Sequence, residues 1–221
     1  MISENGNASK LSSYIASITI DVISLALHNP PTAVFGQALA DGFSQFLKNR
    51  SEAARQILLE ELSSGNRLAS DVNPTAFYGL LFQYLNAVKL GAAKRNLRMM
   101  AEIIREGAII PIPFQADEVS SCAKIVADLT NEEIILLAEL KRQKEHVLAI
   151  EPDGDHARIG IHNAALAALV PKIFQTEADF LSVASALQRT GLIRLPSVWG
   201  GSRVDTTRQF DILCSLCEIQ F

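Results

Sequence analysis

Two cysteines near the end of the chain have the spacing of a metal-binding or redox motif. Cys214 and Cys217 form a C-x-x-C pair, and Cys122 is the third cysteine of the sequence. A structural zinc site needs about four ligands, usually from a second such pair, and neither Cys122 nor the four histidines supply one at a recognisable spacing. Redox pairs open a helix after a strand, whereas here both cysteines share a helical stripe with Phe210 and Leu213. We therefore predict buried apolar packing for this pair and no metal site.

The stretch DGDH at 153–156 brings together two acids and a histidine that could hold a divalent cation. It lacks the remaining ligand positions of a calcium loop, including the distal glutamate, and is typical of a surface turn. The sequence contains no glycine-rich phosphate loop and no nucleophile-elbow pattern. We predict no catalytic residue and no cofactor, and we expect that the protein is not an enzyme. A catalytic triad assembled from distant residues stays open at this point.

Basic residues are densest in KLGAAKRNLR at 89–98, with Arg105 following. Lys94, Arg98 and Arg105 fall on one face of a predicted helix. They could bind an anionic ligand or a nucleic acid, or form a solvated face paired with acids such as Glu60, Glu61 and Glu102, which we favour. The candidate anion patch consists of Lys89, Lys94, Arg95, Arg98 and Arg105.

Composition restricts the partners and the compartment. The 221 residues carry a net charge of −4, which gives no global attraction to nucleic acid or anionic lipid. Three cysteines and a start, MISENGNASK, without signal-peptide features predict a reducing, cytoplasmic location. Hydrophobic residues make up 48% and aromatic residues 6%, a mixture that suits packed helices. Because this apolar content exceeds what two small cores need, we expect a homo-oligomer, most simply a dimer.

Residues 11–40 contain a single charged residue, Asp21. A membrane span needs about 20 continuous apolar residues, and HNPPT at 28–32 interrupts this one. We predict two amphipathic helices that pack in a core or a subunit interface. A membrane-associated effector that uses residues 11–47 is the alternative.

The positions of prolines, glycines and helix-capping residues predict a mainly α-helical protein of two domains. A disordered tail at 1–9 precedes a helical bundle at 10–106, whose central helix runs from about 74 to 106 after the capping pair Asn73 and Pro74. The segment GAIIPIPF at 107–114 is the predicted linker, and 115–221 form the second domain. In that domain Thr130 and Thr176 each begin a helix with a capping box, and Gly191 ends one. A small hairpin with arms at 192–195 and 204–206, turning at 200–201, precedes a last helix.

From residue 130 onward, the order of helices followed by a hairpin resembles a winged helix-turn-helix module, and LQRTGLI at 187–193 is similar to the end of its recognition helix. The layout of a helical front half and such a module is similar to bacterial abortive-infection-type families without assigned activity. The resemblance implies a helix in the DNA major groove and a hairpin on the DNA backbone or in the minor groove. Here that helix, EADFLSVASALQRT, carries two acids at its start and one arginine. The candidate nucleic-acid contacts are Arg189, Arg194, Arg203 and Arg208.

Taken together, the residues favour a non-enzymatic interaction protein that acts through protein–protein contacts, and the abortive-infection resemblance implies a bacterial type with a role in defence or in mobile elements. Its expected partners are a second copy and an unidentified protein. The alternative is a DNA-binding winged-helix regulator. It would have to be dimeric, because the three hairpin-region arginines of one chain fall short of the roughly six to ten phosphate contacts of a DNA-binding protein. The membrane-associated effector is the third hypothesis.

Overall fold

A computed structural model describes residues 37–63, 73–107, 114–150, 154–198 and 201–219. Within these ranges most residues lie in eight α-helices, so the prediction of a mainly α protein is confirmed. Outside them lie the tail and the helices that the sequence predicts before residue 37, linker residues 108–113, Asp153, and Gly200 of the turn predicted at 200–201. The helices are α1 Gln37–Ser63, α2 Pro74–Leu90, α3 Lys94–Gly107, α4 Ala116–Ala127, α5 Asn131–Leu148, α6 Asp155–Leu169, α7 Glu177–Leu187 and α8 Arg208–Leu216.

The described strands belong to one antiparallel hairpin between α7 and α8. They are β1 Ile193–Arg194, β2 Ser197–Val198, β3 Gly201–Ser202 and β4 Asp205–Thr206. β1 pairs with β4 and β2 pairs with β3, and the register places Arg194 directly opposite Asp205. The contacts divide the chain into two compact units, Met1–Ala127 and Asp128–Phe221.

The prediction of one long helix over 74–106 is wrong, because α2 ends at Leu90, Gly91 caps it, and α3 begins at Lys94. Gly91 has φ 99, a left-handed conformation that a residue without Cβ adopts without strain. Its N–H donates to Val88 O, and the N–H of Ala92 donates to Ala87 O, which is the hydrogen-bond pair of a Schellman cap. Arg50 of α1 completes the cap, since its guanidinium donates to Val88 O at 2.9 Å and to Ala92 O at 2.6 Å.

The helix after the predicted linker, α4, packs on α2 and α3 and so belongs to the first unit. Two side-chain hydrogen bonds fasten it: Asn96 Nδ2 donates to Val126 O at 2.8 Å, and Gln83 Nε2 donates to Ser120 Oγ at 2.6 Å. The contacts therefore group α4 with the first unit, and the predicted linker at 107–114 and second domain at 115–221 stay predictions from the sequence. The composition of the sequence does not show which of the two cores α4 joins, because apolar residues continue from the predicted linker into this helix.

In the second unit, side-chain caps fix where α5, α7 and α8 begin. Thr130 and Glu133 form the predicted capping box of α5, and Thr176 and Asp179 form that of α7. Gly191 adopts φ 73 after the short 3₁₀ turn that follows α7, as its position predicts. Thr207 caps α8 and donates its hydroxyl to Gly191 O at 2.7 Å, which ties the start of α8 to the start of the hairpin.

The two glycines of the α2 region make a matched pair of substitutions. We expect Gly91→Ala to destabilise the protein by about 1–2 kcal/mol, because the left-handed backbone strains any residue with a Cβ. Gly79→Ala, at an exposed helical position with no atom within 4 Å of the added Cβ, is expected to stabilise by about 0.5–1 kcal/mol. Urea unfolding followed by circular dichroism measures both changes, and a shared sign would contradict this account of the α2 end.

Candidate anion-binding cleft

A cleft of about 460 Å³ lies within the second unit. It is bordered by the end of α5, the first turns of α6 and α8, and the paired ends of the hairpin. The basic residues that line it come from four different elements, while Asp205 and Asp211 are its acids. The four basic residues are Lys144, Arg158, Arg194 and Arg208.

Two helices begin at the cleft, which adds to its positive character. α6 starts at Asp155 without a side-chain cap on its N-terminal amides, and α8 starts at Arg208 after Thr207. The aligned peptide dipoles of a helix place partial positive charge at its N-terminus. The local field at this cleft is therefore set by side chains and backbone together.

The buried acid at the cleft floor, Asp205, is neutralised by arginines. Its side chain is 2% exposed, and Arg203 binds both oxygens, with Nε to Oδ1 at 2.7 Å and Nη2 to Oδ2 at 3.0 Å. Arg194 approaches the same carboxylate from the opposite strand at 3.6 Å, and Asp155 lies 3.5 Å from Arg203. A buried carboxylate without such partners would cost several kcal/mol, so this network holds the hairpin arms together.

The other acid, Asp211, is half exposed and pairs with Lys144 across the cleft wall. The Lys144 Nζ lies 2.5 Å from Asp211 Oδ1 and 5.9 Å from the ring centre of Phe210. This pair joins the end of α5 to the first turn of α8, so it sets the width of the cleft on that side.

His162 lies behind the hairpin and is held neutral. The N–H of Val204 donates to its Nδ1 at 3.3 Å, and its ring packs edge-on against Phe180. Burial lowers the pKa of His162, and the charge of Arg203 lowers it further, against the opposing charges of Glu177 and Asp205. The imidazole thus serves as a hydrogen-bond acceptor for the hairpin backbone.

The four predicted nucleic-acid contacts have different environments. Arg194 and Arg208 both line the cleft. Arg203 is 8% exposed and bound to Asp205. Arg189 binds both oxygens of Glu133 at the start of α5 and donates to Ala186 O at 2.8 Å. The structure therefore brings Arg194 and Arg208 together at the cleft, while Arg203 and Arg189 each bind both oxygens of a buried carboxylate.

The contact between Arg189 and Glu133 also explains the charge state of that carboxyl. Burial raises the pKa of Glu133, but hydrogen bonds from Arg189 and from the Thr130 backbone outweigh it, and the pKa lies below its usual value. The pair therefore stays ionised and fastens the end of α7 to the start of α5.

Lys144 and Arg158 are cleft residues that the sequence reasoning missed. Each lies on a helix whose own pattern shows only an exposed or half-exposed charge. A helix start at 155 would have placed Arg158 in a first turn, but no local pattern shows that residues 144, 158, 194 and 208 converge. That convergence depends on tertiary packing of α5 with α6 and of the hairpin with α8.

The candidate anion patch of the first unit is partly paired with acids. Arg98 lies 3.6 Å from Glu60 and 3.4 Å from Glu61, and Arg105 lies 3.0 Å from Glu61 and 2.9 Å from Glu106. The pairing with Glu60 and Glu61 is the arrangement expected of a solvated face. The remaining members, Lys89, Lys94 and Arg95, are exposed on the last turn of α2 and the first turn of α3.

The cysteine pair lies at the end of α8. Cys217 is buried and its Sγ lies 3.5 Å from Leu213 O, while burial raises the pKa of Cys214 to about 12. A thiol with that pKa stays protonated at neutral pH, so it is a poor nucleophile and a poor metal ligand. Among the residues that the structure describes, no three His, Cys, Asp or Glu side chains form a group able to hold a metal ion.

No protein-family model matches the chain, and neither does any curated protein or any solved structure. The winged-helix and abortive-infection resemblances thus stay predictions from the sequence. In the described part of the chain no helix is long and apolar enough to cross a membrane. A functional assignment therefore has to come from the geometry of the cleft and of the exposed surfaces.

The environment of His162 predicts a pH dependence of stability. Folding lowers the pKa of His162 below its ordinary value of 6.5, so the unfolded chain binds a proton at a higher pH than the folded chain does. The free energy of unfolding is therefore at its full value above pH 6.5 and decreases as the pH falls from there through the pKa of the folded state. Protonation also removes the acceptor for the Val204 N–H. We expect urea unfolding, followed by the fluorescence of Trp199, to show this loss between about pH 7 and pH 5.

His162→Asn is the informative variant, because an amide oxygen can accept from Val204 N–H and does not titrate. Its stability should change less over the same pH range than that of the unmodified protein. His146→Gln, at an exposed position of α5, serves as the control and should keep the original pH dependence. An identical slope for the His162 and His146 variants would refute the role given to His162.

Proposed function

We propose that the protein is a non-enzymatic interaction protein whose second unit recognises an anionic, phosphate-bearing group in the cleft. The observation that supports this most directly is the convergence of Lys144, Arg158, Arg194 and Arg208 from four elements onto one concavity. Basic residues outnumber acidic ones there, whereas the chain as a whole is acidic. A local concentration of positive charge in a concave, low-dielectric surface attracts and holds anions.

The surroundings of the titratable groups favour binding over acid–base chemistry. Asp205 is neutralised by Arg203 and Arg194, and His162 already accepts a backbone hydrogen bond. A general acid or base needs a group that can exchange its proton with a substrate. Here these groups instead stabilise the hairpin that forms one wall of the cleft.

Arginine forks bind phosphate oxygens in pairs, and two of the cleft arginines are placed for this role. Arg194 is 59% exposed, and its contact with Asp205 is long enough to be exchanged for a contact with a ligand. Arg208 begins α8, so an anion that it binds also lies near the N-terminal amides of that helix. These two residues are therefore the first to test.

The test is calorimetric titration of the full chain with inorganic pyrophosphate at constant ionic strength. We expect saturable binding, and we expect Arg194→Gln and Arg208→Gln each to weaken it by about tenfold, because each removes a charge-assisted hydrogen bond. Lys172→Gln is the matched control, since Lys172 is an exposed base of the same unit outside the cleft. Absence of binding, or an equal loss in the control, would refute the proposal.

A second candidate function is self-association through α2, which fits the expected homodimer and action through protein–protein contacts. Tyr78 and Phe82, one turn apart on α2, are 43% and 64% exposed, and Leu90 near its end is 86% exposed. The 17 residues of α2 contain one charge, Lys89, so this face lacks the ionic groups that solvate a surface helix. A two-fold axis places like residues opposite one another, and an uncharged aromatic face meets its own copy without repulsion.

Native mass spectrometry at micromolar concentration tests this second candidate. We expect a dimer for the unmodified chain and a monomer for Phe82→Glu, because the glutamate would place two like charges in the interface. Ile150→Glu, at an exposed apolar position of the second unit, should leave the dimer intact. A monomeric unmodified chain would eliminate the candidate.

The DNA-binding and membrane alternatives receive less support. α7, the helix that would enter the major groove, exposes Glu177 and Asp179 at its start, and these acids would face DNA phosphates unfavourably. Arg189 and Arg203 are engaged within the unit. In the segment 11–47, residues 11–36 lie outside the described ranges, so the membrane hypothesis stays a prediction from the sequence.

A further inference from the structure

The composition of the cleft also indicates the class of its ligand, and this assignment rests on the proposed function. We infer that the cleft binds a small organic phosphate, a phosphate monoester of nucleotide or sugar-phosphate size with hydroxyl groups and a compact apolar part. Three properties of the cleft support this class over an extended nucleic-acid backbone: its size, its apolar wall and the acids beside its bases.

The size of the cleft suits a small molecule. Pockets for small organic ligands have volumes of about 300–1,000 Å³, and the cleft has about 460 Å³. Its basic residues surround this space from α5, α6, β1 and α8. A protein that tracks a nucleic-acid backbone instead aligns its bases along an extended groove or ridge. A concavity ringed by cations encloses one terminal phosphate better than it follows a chain of them.

One side of the cleft is apolar. The half-exposed Leu148 at the end of α5 forms this side, and Ala157, Ile161 and Val204 lie buried behind it, at 1%, 5% and 1% exposure. An inorganic anion or a phosphodiester backbone gains nothing from such a wall. An organic phosphate can place its phosphate among the arginines and a ring or carbon skeleton against Leu148, which adds apolar burial to the ionic contacts.

The acids of the cleft indicate hydroxyl or amine groups on the ligand. Asp211 is 53% exposed beside Lys144 and is the acid that a ligand can reach, because Asp205 is buried and both its oxygens accept from Arg203. Carboxylates next to bases weaken the attraction for a bare polyanion, but they accept hydrogen bonds from sugar hydroxyls. The mixture of bases, acids and apolar groups therefore matches a molecule that carries one phosphate together with polar donors.

The experiment compares four probes on the full chain by calorimetry at one ionic strength: adenosine monophosphate, ribose 5-phosphate, inorganic phosphate and a short DNA duplex. We expect at least one of the two organic phosphates to bind about tenfold or more tightly than inorganic phosphate, because the apolar and hydroxyl contacts add to the ionic ones. The duplex should bind more weakly than that organic phosphate and should compete with it.

Two variants separate the parts of the site. Leu148→Ala shortens the apolar side of the cleft and Asp211→Ala removes a side-chain acceptor, so each should weaken binding of the organic phosphate several-fold while leaving pyrophosphate binding unchanged or stronger. Arg208→Gln should weaken both probes. Retained pyrophosphate binding in the first two variants also shows that the unit is folded, and Lys172→Gln again serves as the charge control.

The outcomes distinguish failure of this inference from failure of the proposed function. If pyrophosphate or the duplex binds through Arg194 and Arg208 and neither organic phosphate exceeds inorganic phosphate, the ligand class is overturned and anion recognition stands. If no anion binds, both are overturned. Tighter binding of an organic phosphate that Leu148→Ala leaves unchanged would also overturn the inference, because the apolar wall would then have no part in recognition.

Discussion

The arrangement of the second unit depends on the burial of one carboxylate, Asp205. A charge at 2% exposure is tolerated only when cations and hydrogen bonds compensate its lost hydration. Arg203 supplies two hydrogen bonds from two residues away, and Arg194 approaches from the opposite strand. The hairpin has only two paired residues at each end, so backbone hydrogen bonds alone would hold it weakly. The ionic network therefore fixes the hairpin, and with it one wall of the cleft.

This constraint separates the arginines into two classes. Arg203 and Arg189 each bind both oxygens of a buried carboxylate, Asp205 in the hairpin and Glu133 at the start of α5. Arg189 thereby joins segments that are distant in the sequence, whereas Arg203 compensates an acid two residues away on its own arm of the hairpin. Arg194 and Arg208 lie at the edge of the same framework and line the cleft. A planar guanidinium can serve either purpose, so its role is decided by which carboxylates lie within reach.

Much of the helical framework could be predicted because its signals are local. The caps at Thr130, Thr176 and Asn73 each involve partners within three residues, and the structure places all three where the sequence does. The end of α2 at Gly91 is not predictable from the local pattern, because apolar residues continue across it. The Arg50 guanidinium that binds the nearby carbonyls of Val88 and Ala92 comes from about forty residues earlier. The packing of α4 on α2 and α3 is also set by contacts between residues distant in the sequence, so no local pattern predicts it.

The same distinction explains why the cleft was only half predicted. The hairpin arginines stood out because a short basic hairpin is a local pattern, but their partners in the cleft, Lys144 and Arg158, are ordinary helix-surface charges in the sequence. What makes them a site is that α5 ends, and α6 and α8 begin, around one space. Their attraction for an anion is a property of that geometry, since the chain as a whole is acidic and would repel one. Loss of the Asp205 network would therefore release Arg194 from its place beside the helix-borne bases of the cleft without removing any of them.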